Sequence, residues 1–222
     1  MKERASVVVE EYLQVIYSLL SEEKPIKAVN LTKRLKSSPS TVHATLSRLQ
    51  RDRMVKIDDK KEITLTAQGL AKAEKLTRRH RLVESFLCNT LGISWHEVHH
   101  HAHILEHGLT PLVEEKLAEF LGFPDACPHG TPMPGEHNRL PENTNSLDGF
   151  IVGDEIEIIN IGEVLEESIE LLKFLQEKHI KPGKRHHIRE KTEVTKTIVL
   201  GSKHGTATLP YDIASKIGAI KC

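Results

Sequence analysis

Apolar residues recur at helical spacing over 7–20, VVVEEYLQVIYSLL, where Leu13, Ile16, Tyr17 and Leu20 share one face and Glu10 and Glu11 lie in the first turn. That spacing predicts an amphipathic helix that packs against a neighbour. After a break at Lys24-Pro25, Ala28 to Lys36 (AVNLTKRLK) predicts a short helix interrupted by Ser37, Ser38 and Pro39. Ser38 or Ser40 then caps a second helix, STVHATLSRLQRDR, with an apolar stripe of Val42, Thr45, Leu46 and Leu49. Two short helices joined by such a turn form a helix-turn-helix. Met54 to Ile57 and Glu62 to Thr66 predict two strands around the polar turn Asp58 to Lys61, a hairpin of the kind that makes the wing of a winged helix.

Helical periodicity continues through Ala67 to Leu91, then Ser94 to Gly108 and Thr110 to Leu121, with breaks at Gly108 and at Gly122-Phe123-Pro124. Residues 124–149 are rich in Pro, Gly and Asn without a period and predict a linker. Beyond it, alternation over 153–161, 185–189 and 195–200 predicts strands, with one helix at Glu166 to Lys178 and a Lys181-Pro182-Gly183 turn. The expected fold is mainly α with β. A winged helix-turn-helix spans 1–75, an all-helical domain 76–123, the Pro-rich linker 124–149 and a small, partly open β-barrel 150–222.

Composition narrows the class. With 222 residues, 38% hydrophobic and 28% charged, wholesale disorder and fibrous architectures are excluded. No apolar run of about 18 residues exists to span a bilayer, and MKERASVVVEEYL lacks the apolar core of a signal peptide. Three cysteines, Cys88, Cys127 and Cys222, make no disulfide framework and suit a reducing cytoplasm. The formal net charge of zero hides a partition: residues 1–80 carry 17 Lys plus Arg against 10 Asp plus Glu, and the remainder carries the compensating excess of acid. From Lys24 to Lys61, eleven Lys and Arg face Asp52, Asp58 and Asp59 alone. Such a patch attracts polyanions by counterion release, although a merely solvated basic face has the same composition. On double-stranded DNA the second helix of the motif would enter the major groove, with Ser40, Thr41, His43 and Ala44 near base edges. Arg48, Arg51 and the wing lysines, Lys60 among them, would hold phosphates, flanked by Lys27, Ser37 and Pro39.

Six of the 14 histidines fall between His96 and His107. On a helix turning about 100° per residue, His99, His103, Glu106 and His107 lie within roughly 100° of arc and can converge on one point. Imidazole and carboxylate together suit divalent Mn, Fe, Co or Zn. His80 and Glu84 form another i, i+4 pair, and Cys127-Pro128-His129 a third cluster. His96, His100 and His101 are expected at the solvated surface, and Cys127 alone would read as a packed thiol. His103-x-x-Glu106-His107 also matches the inverted zincin pattern, with Glu106 as general base, so a zinc metallohydrolase is one competing reading and a cytosolic metal buffer that binds no DNA is another.

In EEYLQVIYSL, RRHRLVESFL, HILEH and CPHGTPMPG, spaced in this order along essentially the whole chain, the sequence resembles the diphtheria toxin repressor family of metal-dependent transcriptional regulators. The resemblance implies a repressor of metal-uptake genes. It binds two metal ions per subunit, dimerises through the middle helices and grips palindromic operators when metal is bound; no catalysis, small organic substrate or membrane is implied. It also implies a regulatory site of Glu11, His103, Glu106 and His107. A second site would use His80, Glu84 and His99 with Cys127 and His129, completed by Glu166 or, preferred here, Glu167. The C-terminal barrel resembles the small domain of ferrous-iron transport A proteins. The iron-sensing branch has Met at the position of Glu11 and Cys at that of His103, whereas manganese sensors have carboxylates at both. Glu11 thus points to Mn(II), while His103 matches neither branch and leaves Fe(II) or Zn(II) open.

Overall fold

The computed structural model describes residues 2–20, 25–135 and 139–222. Lys24, counted above in the basic stretch, lies outside them. The chain divides into two compact units, 1–79 and 80–222.

In the first unit, α1 (Lys2–Leu19), α2 (Ala28–Arg34) and α3 (Pro39–Arg51) precede a hairpin of β1 (Val55–Ile57) and β2 (Ile63–Leu65). Helix α4 (Ala67–Asn89) starts here and ends in the second unit. Val9, Tyr12, Leu13, Ile16 and Leu19 of α1 close on Leu31 of α2 and on Val42, Leu46 and Leu49 of α3. The α1 stripe is therefore rotated from the expected one: Tyr12 and Leu19 are inside, Tyr17 is partly buried and Leu20 is exposed. The set with offsets 3, 4, 7 and 10 from Val9 offers a larger apolar face than one running to Leu20. In α3, Thr45 is only half-buried, its hydroxyl at the margin of the stripe. Ser38, one of the two proposed caps, accepts a hydrogen bond from Thr41 N, and Pro39 occupies the first turn, where its missing N–H costs nothing. The hairpin pairs Val55 with Leu65 and Ile57 with Ile63 in antiparallel register, and Ile63 N donates to Ile26 O.

The second unit holds the rest of α4, then α5 (Val98–Leu105), a 3-10 turn (Glu106–Gly108), α6 (Pro111–Phe120) and a six-stranded antiparallel sheet. Its strands are β3 (Asn145–Ser146), β4 (Glu155–Ile161), β5 (Arg185–Thr192), β6 (Thr197–Ser202), β7 (Gly205–Pro210) and β8 (Ile217–Lys221), in the order β3-β8-β4-β5-β6-β7. Helices α7 (Glu163–Glu166), α8 (Ile169–Glu177) and α9 (Tyr211–Ala214) fill the connections. Four expectations need correction. The helix expected over 94–108 is only α5: Trp95 is buried in the core that packs on the six-stranded sheet and Glu97 N closes a turn on Ser94 O, so the helix starts late. Glu106 and His107 accordingly sit in the 3-10 turn. The single helix at 166–178 is split, because Ser168 caps α8 afresh through Leu171 N. Segments β7, α9 and β8 were not expected from the sequence. Lastly, the end of the expected linker carries structure: Leu147 is buried in the core of the second unit and β3 pairs with β8.

Candidate metal centre

Within the Pro- and Gly-rich stretch, 125–133 is tied by backbone bonds that periodicity cannot register. Cys127 N donates to Thr131 O, Gly130 N to Cys127 O, and Ile161 N of β4 to His129 O, which fastens the CPHG turn to the sheet. Gly130 has φ +82, and a Cβ there would come 2.1 Å from Ile159 O, so no other residue fits this turn. Trp95 Nε1 donates to Pro128 O, and His129 Nε2 lies 3.1 Å from Trp95 O. With Nε2–H donating to that carbonyl, the lone pair of His129 Nδ1 faces inward.

That lone pair meets a closed group of ligand atoms. His129 Nδ1 is 3.5 Å from both Glu84 Oε1 and Glu166 Oε2. His99 Nδ1 is 3.1 Å from each of the same two oxygens. His80 Nε2 is 3.1 Å from Glu84 Oε1 and 3.0 Å from His99 Nδ1. Ligand atoms of Glu84, Cys127 and His129 lie within 4.8 Å of one another, as do those of His80, Glu84 and His99. Glu84 and His129 are 0% exposed. Three polar atoms here, Glu84 Oε2, His129 Nδ1 and Glu166 Oε1, are buried without a hydrogen-bond partner. Buried polar atoms are rarely left so, and a divalent cation among these residues would offset the charge of both carboxylates. Three imidazoles, two carboxylates and a thiol are a fitting donor set for a borderline ion.

Electrostatics agree with that fit. Burial alone would lower His80, His99 and His129, but Glu84, Glu166 and Glu106 outweigh it; His99 is pushed up to about 9. Burial would raise Glu84, yet His80 and His129 hold it well below the usual carboxylate range. Cys127 is pushed well up, by burial first and then by Glu84 and Glu166. Without metal, protons on the imidazoles balance the carboxylates; a cation would replace those protons.

Of the two carboxylates offered from the C-terminal region, Glu166 faces the cluster. Glu167, the carboxylate preferred from sequence, is the C-cap of α7 and exposed, whereas Glu166 is the one beside His99 and His129. A link not foreseen from sequence is made by Glu106, 1% exposed: its Oε2 is 2.5 Å from His80 Nδ1, while Oε1 lies 3.5 Å from His103 Nδ1 and from His107 Nε2. One carboxylate thus orients a ligand of the first cluster and faces the His103/His107 pair. His100 and His101 stack edge-on beside each other, and His96 Nδ1 lies 3.3 Å from Gln176 Oε1. None of the three joins the cluster.

In the N-terminal unit, Glu11 lies half-buried on α1. Ser40, Thr41, His43 and Ala44 are exposed along the first turns of α3, with Pro39 beside them. Lys27 and Lys60 are exposed; Ser37 is half-buried, its hydroxyl on Leu35 O, and Arg48 is half-buried 3.8 Å from Asp52.

This fold and ligand group define a metal-dependent DNA-binding regulator. Family models agree: one described as the iron dependent repressor N-terminal DNA binding domain matches residues 5–63, and one described as the iron dependent repressor metal binding and dimerisation domain matches 66–135. The chain is 30% identical over 218 residues to the iron-dependent repressor IdeR of Mycobacterium bovis, covering 94% of each. Among solved structures it is similar to a manganese-dependent transcriptional repressor in complex with manganese (28% identity, TM-score 0.82, 96% of this chain and 100% of that one). It is also similar to the manganese regulator SloR (27%, TM-score 0.80, 96% and 98%). The chain belongs to the iron-dependent repressor family, metal-dependent transcriptional repressors of which the diphtheria toxin repressor is a member.

Proposed function

We propose that this repressor acts in the cytoplasm on metal-uptake genes. It binds a palindromic operator as a homodimer when Mn(II) is bound, with Fe(II) and Zn(II) as competing effectors, and it carries two ions per subunit. The observation that supports the metal reading is the convergence of His99 Nδ1 and His129 Nδ1 on the same two buried carboxylate oxygens, Glu84 Oε1 and Glu166 Oε2. One ion is assigned to His80, Glu84, His99, Cys127, His129 and Glu166. The other is assigned to His103, Glu106 and His107 with Glu11, as the sequence resemblance implies. A bound cation supplies fixed positive charge at these points. Glu11 stands on α1 of the DNA-binding part, 1–75, and its co-ligands on the helical part, 76–123. A cation held by both would favour the conformers in which the two recognition helices stand about one helical turn of DNA, or a multiple, apart. Ser40, Thr41, His43 and Ala44 read base edges; Lys27, Arg48 and Lys60 hold phosphates, with Ser37 and Pro39 shaping the turn.

Dimerisation is supported by the apolar surface of the helical part, where Ile104, Leu105, Leu112, Val113 and Phe120 are exposed together with Phe123. A hydrolase reading loses ground because Glu106 Oε2, the would-be base, is hydrogen-bonded to His80. Gel shifts on the protein's own upstream DNA, with and without Mn(II), test the proposal. Metal-dependent retardation is expected; no retardation at any metal concentration overturns it in favour of the buffer reading, and metal-dependent peptide hydrolysis overturns it in favour of the enzyme.

A further inference from the structure

Neither metal cluster uses a second group of histidines in the C-terminal unit. His179, His186, His187 and His204 line a cavity of about 430 Å³ together with Lys184 and Lys203. The connection from α8 to β5 supplies His179 and Lys184, the start of β5 supplies His186 and His187, and the β6–β7 turn supplies Lys203 and His204. His186 is a buried anchor whose Nε2 bonds His179 O, and the rings of His179 and His204 stack 3.6 Å apart at 18°.

The cavity is cationic against its surroundings, since residues 80–222 carry 14 Lys plus Arg and 21 Asp plus Glu. Among the described residues neither Lys184 nor Lys203 pairs with a carboxylate. Arg185, also on the wall, is already paired with Glu157 at 3.2 Å, which leaves Glu155 as the acid of the lining. Desolvation, then His179, Lys203 and Lys184, push His204 below its ordinary value, as expected where like charges face one another. A metal does not suit the group. Stacked rings do not converge their nitrogens, and His187 Nε2 accepts a hydrogen bond from Arg189 Nε at 2.9 Å. An anion suits it: lysine ammoniums are point-charge phosphate binders, and imidazole N–H groups add direction. A phosphate monoester is close to dianionic at neutral pH, its second pKa being about 6. The volume leaves room for more than one phosphate.

We propose that this cavity is a binding site for a small phosphate-bearing molecule, a phosphomonoester or pyrophosphate, held by Lys184 and Lys203 with His179 and His204 as N–H donors. The proposal is independent of the metal reading. The test titrates full-length, chelator-treated protein with inorganic pyrophosphate and, separately, with a short DNA duplex, since a DNA backbone offers the same phosphate chemistry. The histidine ring resonances are followed by NMR, assigned through His179→Gln and His204→Gln. Pyrophosphate is expected to saturate these shifts at one equivalent per chain. Lys184→Gln/Lys203→Gln, both at exposed positions, should weaken binding by at least about tenfold while leaving Mn(II) affinity unchanged. Absence of shifts at millimolar pyrophosphate, equal affinity in the double variant, or shifts produced only by the duplex would overturn it.

Discussion

The metal-free centre should make the protein's stability fall as pH rises, because its imidazoles carry protons that the surrounding carboxylates require. For His99, a rise from about 6.5 in the unfolded chain to about 9 in the folded one is worth about 3 kcal/mol. A group whose folded value is raised gives its full stabilisation below about pH 6.5 and loses it as pH climbs through about 9. His80 and His129 are displaced in the same direction and deepen the loss. For a unit the size of residues 80–222, 3 kcal/mol corresponds to a drop in Tm of about 6–12 °C. Thermal melts of chelator-treated protein at about pH 6 and about pH 9 measure it. Trp95, the single tryptophan, is a built-in reporter, its ring centroid 4.7 Å from that of His129. Glu84→Gln should flatten the dependence, since it removes the charge that faces all three imidazoles. Saturating Mn(II) should abolish it, since the metal holds the lone pairs that protons would take. A metal-free Tm that stays level or rises between these pH values refutes the reasoning.

Metal binding should release more than one proton per ion near neutral pH, which calorimetry in buffers of different ionisation enthalpy reads directly; zero release would contradict protonated imidazoles in the apo centre. Glu166→Gln should weaken the ion held with His99 and His129 by tenfold or more, whereas Glu167→Gln should leave it unchanged, by equilibrium dialysis. Leu112→Glu/Phe120→Glu places charge on the exposed apolar surface and should turn the dimer into monomer by analytical ultracentrifugation, with the metal centre intact. Leu46→Ala, in the core of the N-terminal unit, should cost about 2–5 kcal/mol in denaturant unfolding.

What periodicity can carry was legible in the sequence. Leu46 and Leu49 face inward, Ser38 caps α3, and the hairpin follows, all local features with a fixed repeat. The His80/Glu84 pair was readable because i, i+4 spacing on a long helix is geometry written in sequence. Glu106 was singled out with His103 and His107, but its bond to His80 was not foreseen, because that partner is 26 positions away. The CPHG segment misled for a similar reason, since Pro and Gly usually mark solvent-exposed loops, yet here backbone bonds to β4 bury Cys127 and His129. Glu166 and Glu167 differ by one residue around a single-turn helix, a rotation that composition and spacing cannot choose. The cationic cavity draws its histidines from three separate segments that β5–β6–β7 pairing assembles, and nothing in their spacing announces it.

The central claim is that a cation shared between Glu11 and the helical ligands switches DNA binding on. Its most direct test is fluorescence-anisotropy titration of an operator duplex with wild-type protein and Glu11→Ala under anaerobic conditions, each with Mn(II), Fe(II) and Zn(II). Wild type should tighten on the operator as metal is added, with Glu11→Ala remaining dimeric but failing to respond. An unchanged metal response in the Glu11→Ala dimer would contradict the account.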